Sequence, residues 1–164
     1  MPDILRPHRV IRRLVDLDCA ELAARGIRGV LLDLDNTLAA WRSMAIAPEV
    51  ERWLGGLRHA GLNACIVSNA ATDRRVRPVA ERLGLPWVTR ALKPLRRGFV
   101  RGMRLMGTTP DTTVMVGDQL FTDIYGGNRL GLFTILVDPV SRRDAFTTRL
   151  IQRPLERLLG RIPK

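Results

Sequence analysis

Short apolar runs alternate with helix-period segments from Arg28 onward, no repeat or low-complexity linker interrupts them, and two aspartates stand where the first run ends. These observations predict an α/β fold: a Rossmann-like three-layer sandwich around a central parallel sheet of about five strands. Parallel strands covered on both faces read as continuous apolar runs, and their crossover helices fall on both sides.

The elements follow in order. Val30 to Leu32 form the core of the first strand, which ends at Asp33. Pro48 suits a first helical turn, and Val50, Trp53, Leu54 and Leu57 follow at helical spacing until Gly61 stops the run. Leu62 to Val67 make the second strand. Thr72 or Asp73 caps a helix reaching Leu83, which Pro78 is expected to kink or delay. Trp87 to Thr89 are a short third strand, and Pro94 opens a helix to about Met106 that Gly98 and Gly102 weaken. Thr113 to Val116, a helix over Thr122 to Leu130, and Phe133 to Val137 complete the pattern. One domain is expected over 1–164: an N-terminal helical segment (1–27), a catalytic core (28–138) and a basic C-terminal helical tail (139–164).

In open parallel sheets, ligands bind beyond the carboxyl ends of the strands. The polar residues gather there. Asp33 and Asp35 follow the first strand, Ser68 and Asn69 the second, and Asp118 the fourth, while Lys93 precedes a helix on the same side. Alone, Asp-x-Asp-x-Thr is ambiguous, because Asp35 or Asn36 could equally cap a helix. Lys93 is more telling. All of the 27 basic residues except Lys93 and Lys164 are arginine, so a lysine in the cleft points to a need for a compact point charge.

The composition excludes several classes. Charged residues make up 26% and hydrophobic residues 46%, as in soluble globular proteins. No apolar run approaches the roughly 18 residues of a membrane span, and no signal-peptide core is seen near the N-terminus. Cytoplasmic residence is the expectation. Cys19 and Cys65 have neither zinc-site spacing nor a nearby activator. The formal charge of +11 favours polyanions, but no nucleic-acid signature accompanies it.

The ordered set of motifs resembles the haloacid-dehalogenase (HAD) superfamily of phosphohydrolases, in its YqeG-like subfamily IIIA. Asp33-x-Asp35-x-Thr37, Ser68, Lys93-Pro94 and Gly117-Asp118 with Asp123 match the four motifs in order. Eukaryotic members of that subfamily include phosphatidylglycerophosphate phosphatases. The resemblance implies Mg²⁺-dependent hydrolysis of a phosphomonoester through an aspartyl-phosphate. Asp33 is then the nucleophile, Asp35 the general acid and base, and Lys93 the catalytic cation. Asp33, Asp118 and the backbone carbonyl of Asp35 would ligate Mg²⁺, with Asp123 orienting Lys93 or a water on the metal. Thr37, Ser68 and Asn69 would bind the substrate's phosphoryl group. Thirty-five residues from Asp33 to Ser68 and 25 from there to Lys93 leave no room for a cap domain. Asp35 also argues against dehalogenation, which needs no acid for an alcohol leaving group.

The tail raises a question of partner. Arg149, Arg153, Arg157 and Arg161 recur every four residues among leucines, a pattern that suits peripheral contact with an anionic membrane or a helix packed on the core. Pro154 limits its regularity. The alternatives to a lipid substrate are a soluble sugar phosphate or nucleotide, or a basic RNA- or ribosome-associated module with little turnover.

Overall fold

The computed structural model describes residues 3–141. Six parallel strands, β1 (Arg9–Ile11), β2 (Gly29–Leu32), β3 (Asn63–Val67), β4 (Trp87–Val88), β5 (Thr113–Gly117) and β6 (Phe133–Val137), form one sheet in the order β1-β6-β5-β2-β3-β4. The chain builds outward from β2 to β4, then crosses back to lay β5 on the other side of β2. That reversal opens a crevice between the carboxyl ends of β2 and β5. Register puts Leu32 opposite Val116 and lets the Asp33 amide donate to the Val116 carbonyl at 3.0 Å.

Helices cover both faces. Leu32, Ile66 and Val116 turn toward one face with Trp53, Leu54 and Leu57 of α2 (Pro48–His59) and Val76, Val79 and Leu83 of α3 (Asp73–Leu83). Leu31, Cys65, Val67 and Met115 turn to the other, against Phe99, Met103 and Met106 of α4 (Arg96–Met106). A short helix, α1 (Cys19–Ala24), is capped by Asp18, whose side chain accepts from the amides of Ala20 and Glu21. All four residues of β2 are buried, as the continuous apolar run requires.

The structure corrects several expectations. The sheet has six strands, because the N-terminal segment expected to be helical contributes β1 on the edge beside β6. Long-range contacts dock that segment: Asn128 donates to the carbonyls of Ile4 and Arg6, and the His8 ring meets Thr134 at 3.0 Å. The helix expected over Thr122–Leu130 is instead a wide π-helical turn at Leu120–Tyr125 followed by one α-turn, α5 (Gly126–Asn128). The helix after Lys93 starts at Arg96 rather than Pro94, and α3 runs unbroken through Pro78. From residue 142 on, the predicted basic tail lies outside the described residues. Only loop joins β2 to α2 and only α3 lies between β3 and β4, so no cap interrupts this core.

The glycines of α4 set its distance from the sheet. A Cβ on Gly102 would lie 2.6 Å from Leu31 Cδ2, and one on Gly98 would lie 2.6 Å from the Ala91 carbonyl oxygen. Helix propensity alone says that Gly98→Ala stabilises by up to about 1 kcal/mol. The clash is with backbone, which has no rotamer to yield, so overpacking dominates. We expect Gly98→Ala to destabilise by about 1–3 kcal/mol in urea melts; unchanged or raised stability would contradict this packing.

Candidate active site

Four loops at the carboxyl ends of the strands assemble the site. Asp33 leaves β2, Ser68 leaves β3, Lys93 follows β4, and Asp118 and Asp123 follow β5. The Lys93 ammonium donates to Asp33 Oδ1 at 2.6 Å and to Asp123 Oδ1 at 2.7 Å. The three side chains are 2%, 8% and 0% exposed. Asp123 is spent on structure, since its second oxygen accepts from the Gln119 amide at 3.2 Å. It packs so tightly on Gly117 that a Cβ there would sit 2.4 Å from the Asp123 carboxyl carbon. Asn69 fixes the other end of Lys93: its Oδ1 accepts from the Lys93 amide at 2.7 Å and its Nδ2 donates to the Lys93 carbonyl at 3.0 Å. This anchoring role for Asn69 carried no local signal in the sequence.

Beside this ion pair lie polar atoms with no partner. Among the described residues, the buried side-chain atoms lacking a hydrogen bond are Asp33 Oδ2, Thr37 Oγ1 and both oxygens of Asp118. Native interiors rarely leave such groups unmatched, and each calls for an explanation. Carboxylate oxygens of Asp33, Asp118 and Asp123 all come within 4.8 Å of one another. Like charges about 4 Å apart repel by roughly 4 kcal/mol at an effective dielectric near 20. A single ammonium does not neutralise three carboxylates. Burial pushes Asp33 up to about 7, and Asp123 adds to this while Lys93 opposes it. Burial likewise pushes Asp118 up to about 8, with the Asp33 charge next in importance. Burial alone pushes the Lys93 pKa down, yet the Asp123 and Asp33 carboxylates hold it above the ordinary lysine value. The donor set, hard carboxylate oxygens with unused lone pairs, fits a divalent cation.

Asp35 is turned differently. Its Oδ2 pairs with Arg75 at 2.5 Å, and its Oδ1 accepts from the Arg42 amide at 3.1 Å. Arg75, on the first turn of α3, also reaches the Ser43 carbonyl. Sequence reading missed this arginine, which lies seven residues beyond Ser68 with nothing to set it apart in an arginine-rich chain. The turn between Asp35 and Thr37 needs Asn36, which adopts φ 62°, and whose Oδ1 accepts from the Trp41 amide. Ser68 is buried, and its hydroxyl accepts from the Ala70 amide at 3.1 Å.

A family model described as mitochondrial PGP phosphatase matches residues 1–84, and a HAD-hydrolase-like model matches residues 91–151. The probable phosphatase YqeG of Bacillus subtilis is 35% identical over 158 residues, 96% of this chain and 91% of that protein. The chain belongs to the YqeG-like HAD superfamily phosphatases. Phosphatidylglycerophosphate phosphatase 1 of Arabidopsis thaliana is 31% identical over 90% of this chain, which spans 45% of that longer protein. Among solved structures, the 3-deoxy-D-manno-octulosonate 8-phosphate phosphatase of Moraxella catarrhalis, in complex with a magnesium ion, shares the fold. Its TM-score is 0.52 and its identity 14%, over 86% of this chain and 95% of that one.

The raised carboxyl groups make a pH prediction for this HAD phosphatase. A carboxyl whose pKa is higher in the folded state stabilises the fold fully below its ordinary value and loses that contribution as pH rises through the folded value. Asp33 and Asp118 both begin near 3.8 and end near 7 and 8. In chelator, stability should therefore fall between about pH 4 and pH 8. The carboxyls held below their usual range, Glu21 and Asp73, act at more acid pH and do not mask it. Thermal melts in EDTA across this range check the sign; a melting temperature rising from pH 5 to pH 8 would contradict it.

Proposed function

We propose that the chain hydrolyses a phosphomonoester through an aspartyl-phosphate on Asp33, and that the substrate is phosphatidylglycerophosphate, met by peripheral contact at an anionic membrane. One observation carries the reaction: Asp33 is held by Lys93 through Oδ1 alone, while Oδ2 and the whole Asp118 carboxylate are buried without a partner. One carboxylate then has an oxygen for attack and an oxygen for a cation.

Asp33 attacks phosphorus as the bond to the leaving oxygen breaks. Asp35, released from Arg75, gives its proton to the departing alcohol. It then takes a proton from the water that attacks the aspartyl-phosphate, which frees phosphate and restores Asp33. Thr37, Ser68 and the backbone amides near Leu34 and Asn69 hold the phosphoryl oxygens. Lys93 supplies fixed positive charge against the charge that develops on them. Asp33, Asp118 and the Asp35 carbonyl would hold Mg²⁺, which would supply the further positive charge that a phosphate dianion needs to approach this acidic cluster.

The lipid reading is supported by the PGP phosphatase family model and by the Arabidopsis relative. A broad groove lined in part by Thr37 and Asp118 also fits a bulky leaving group, with Leu14, Leu38, Val137, Arg12 and Arg13 among its other lining residues.

Asp33→Asn should lower kcat by far more than tenfold, the equivalent of about 1.4 kcal/mol in barrier, with the fold retained. A variant that keeps a tenth of the wild-type rate would sink the covalent mechanism. Activity should require Mg²⁺ and be lost with Ca²⁺, which gathers more oxygen ligands and would occupy the attacking oxygen. Equal rates with the two metals, or full activity in EDTA, would overturn the metal assignment. A panel of phosphatidylglycerophosphate, sugar phosphates and nucleotides tests the substrate: a kcat/KM highest on a soluble phosphate would overturn the lipid reading alone.

A further inference from the structure

Large exposed apolar side chains are normal when scattered and informative when gathered. Among the described residues eight are exposed, and all but Val10 and Leu105 lie in segments that leave the strands at the carboxyl edge of the sheet. Trp41 and Met44 follow β2, Leu92 and Leu95 flank Lys93 after β4, Phe121 comes three residues after Asp118, and Val140 follows β6. Because every strand is parallel, these loops share one edge, and that edge carries the catalytic residues. Six exposed apolar side chains thus share the edge of the sheet that carries the site.

The same edge is basic. Arg42, Arg90, Arg96 and Arg97 are exposed there. Arg96 and Arg97 occupy the first turn of α4, which has no acidic residue. The helix dipole disfavours cations at that end, so these two arginines oppose the stability of their own helix. Such placement makes sense if an anion offsets it. The acidic groups nearby are mostly engaged: Asp73 is bonded to Thr89 and Trp87, Asp16 and Glu49 on the groove pair with Arg13, and Asp138 is exposed beyond β6.

We infer that this rim of apolar side chains and arginines docks the catalytic mouth directly onto an anionic lipid bilayer. Trp41, Met44, Leu95 and Phe121 enter the headgroup boundary while the arginines meet lipid phosphates. Charge decides between the bilayer and a second copy of the chain. At a net +11, two such rims brought face to face repel, whereas an anionic surface attracts both. The inference rests on the lipid-phosphatase reading and assigns the surface that presents its substrate.

The test uses the full chain with phosphatidylcholine vesicles, with and without phosphatidylglycerol. Cosedimentation should require phosphatidylglycerol and weaken as salt shortens the screening length to roughly 8 Å and below. Tryptophan fluorescence should shift to the blue on binding, and Trp41→Phe should remove most of that shift, since Trp53 is buried in the core and Trp87, half-buried on β4, is tied to Asp73. A Trp41→Ser, Met44→Ser, Leu95→Ser variant should lose about tenfold or more in partitioning. Its hydrolysis of vesicle-embedded phosphatidylglycerophosphate should fall in step, while its rate on soluble p-nitrophenyl phosphate stays at the wild-type level. A Val10→Ser, Leu105→Ser control should bind vesicles as wild type does. Wild-type protein that ignores anionic vesicles, or a triple variant that still partitions normally, would overturn the docking surface. A rim-dependent dimer seen by light scattering, with no vesicle binding, would assign the rim to a second copy and overturn it too. If vesicle binding follows the rim but the embedded lipid is not cleaved, the docking surface stands and the lipid-substrate reading falls.

Discussion

The Lys93 ammonium, buried between Asp33 and Asp123, is the contact on which the rest of the site depends. A charge taken out of water is costly unless geometry and partners are both good. The fold meets that demand at each end of the side chain. The tip has two carboxylates within 2.7 Å, and the backbone is clamped by both polar atoms of the Asn69 amide. Glycines then make the room. Gly117 lets Asp123 lie against β5, and Gly98 lets α4 close onto Ala91 in the loop that leads to Lys93. Residues that look like weak points in a helix or strand are therefore where backbone and charge approach most closely.

Lys93 and the Gln119 amide together satisfy Asp123, Lys93 satisfies Asp33 by half, and Asp118 remains unmatched. This imbalance leaves a structural ion pair short of positive charge, and with one cation too few the cluster fits a divalent metal. The wide π-helical turn after β5 belongs to the same solution, since it carries Asp123 inward beneath Asp118, within reach of Lys93. Turns of this kind are uncommon and recur at functional sites.

The polar sequence of motifs was legible because each sits directly after an apolar run, and parallel topology sends every such position to one edge. Asp33, Ser68, Lys93 and Asp118 needed no more than order and spacing. Edge strand β1 was not legible: it has three residues, sits among arginines, and is docked by Asn128 and Thr134 more than 100 residues away. The Arg75 contact with Asp35 was hidden for a related reason. Forty residues separate the partners, and one arginine among many carries no local mark.

Hydrophobic period and the residue after each strand thus determined, from the sequence alone, the layered α/β architecture and the edge that carries the chemistry, because both follow from local pattern. The tertiary structure decided which of those polar atoms are already matched and which are left open. It set Asn69 to anchor Lys93, turned Asp35 toward Arg75 and left Asp118 bare. Matching of buried charges depends on distances of about 3 Å between segments far apart in the chain, and no periodicity encodes those distances.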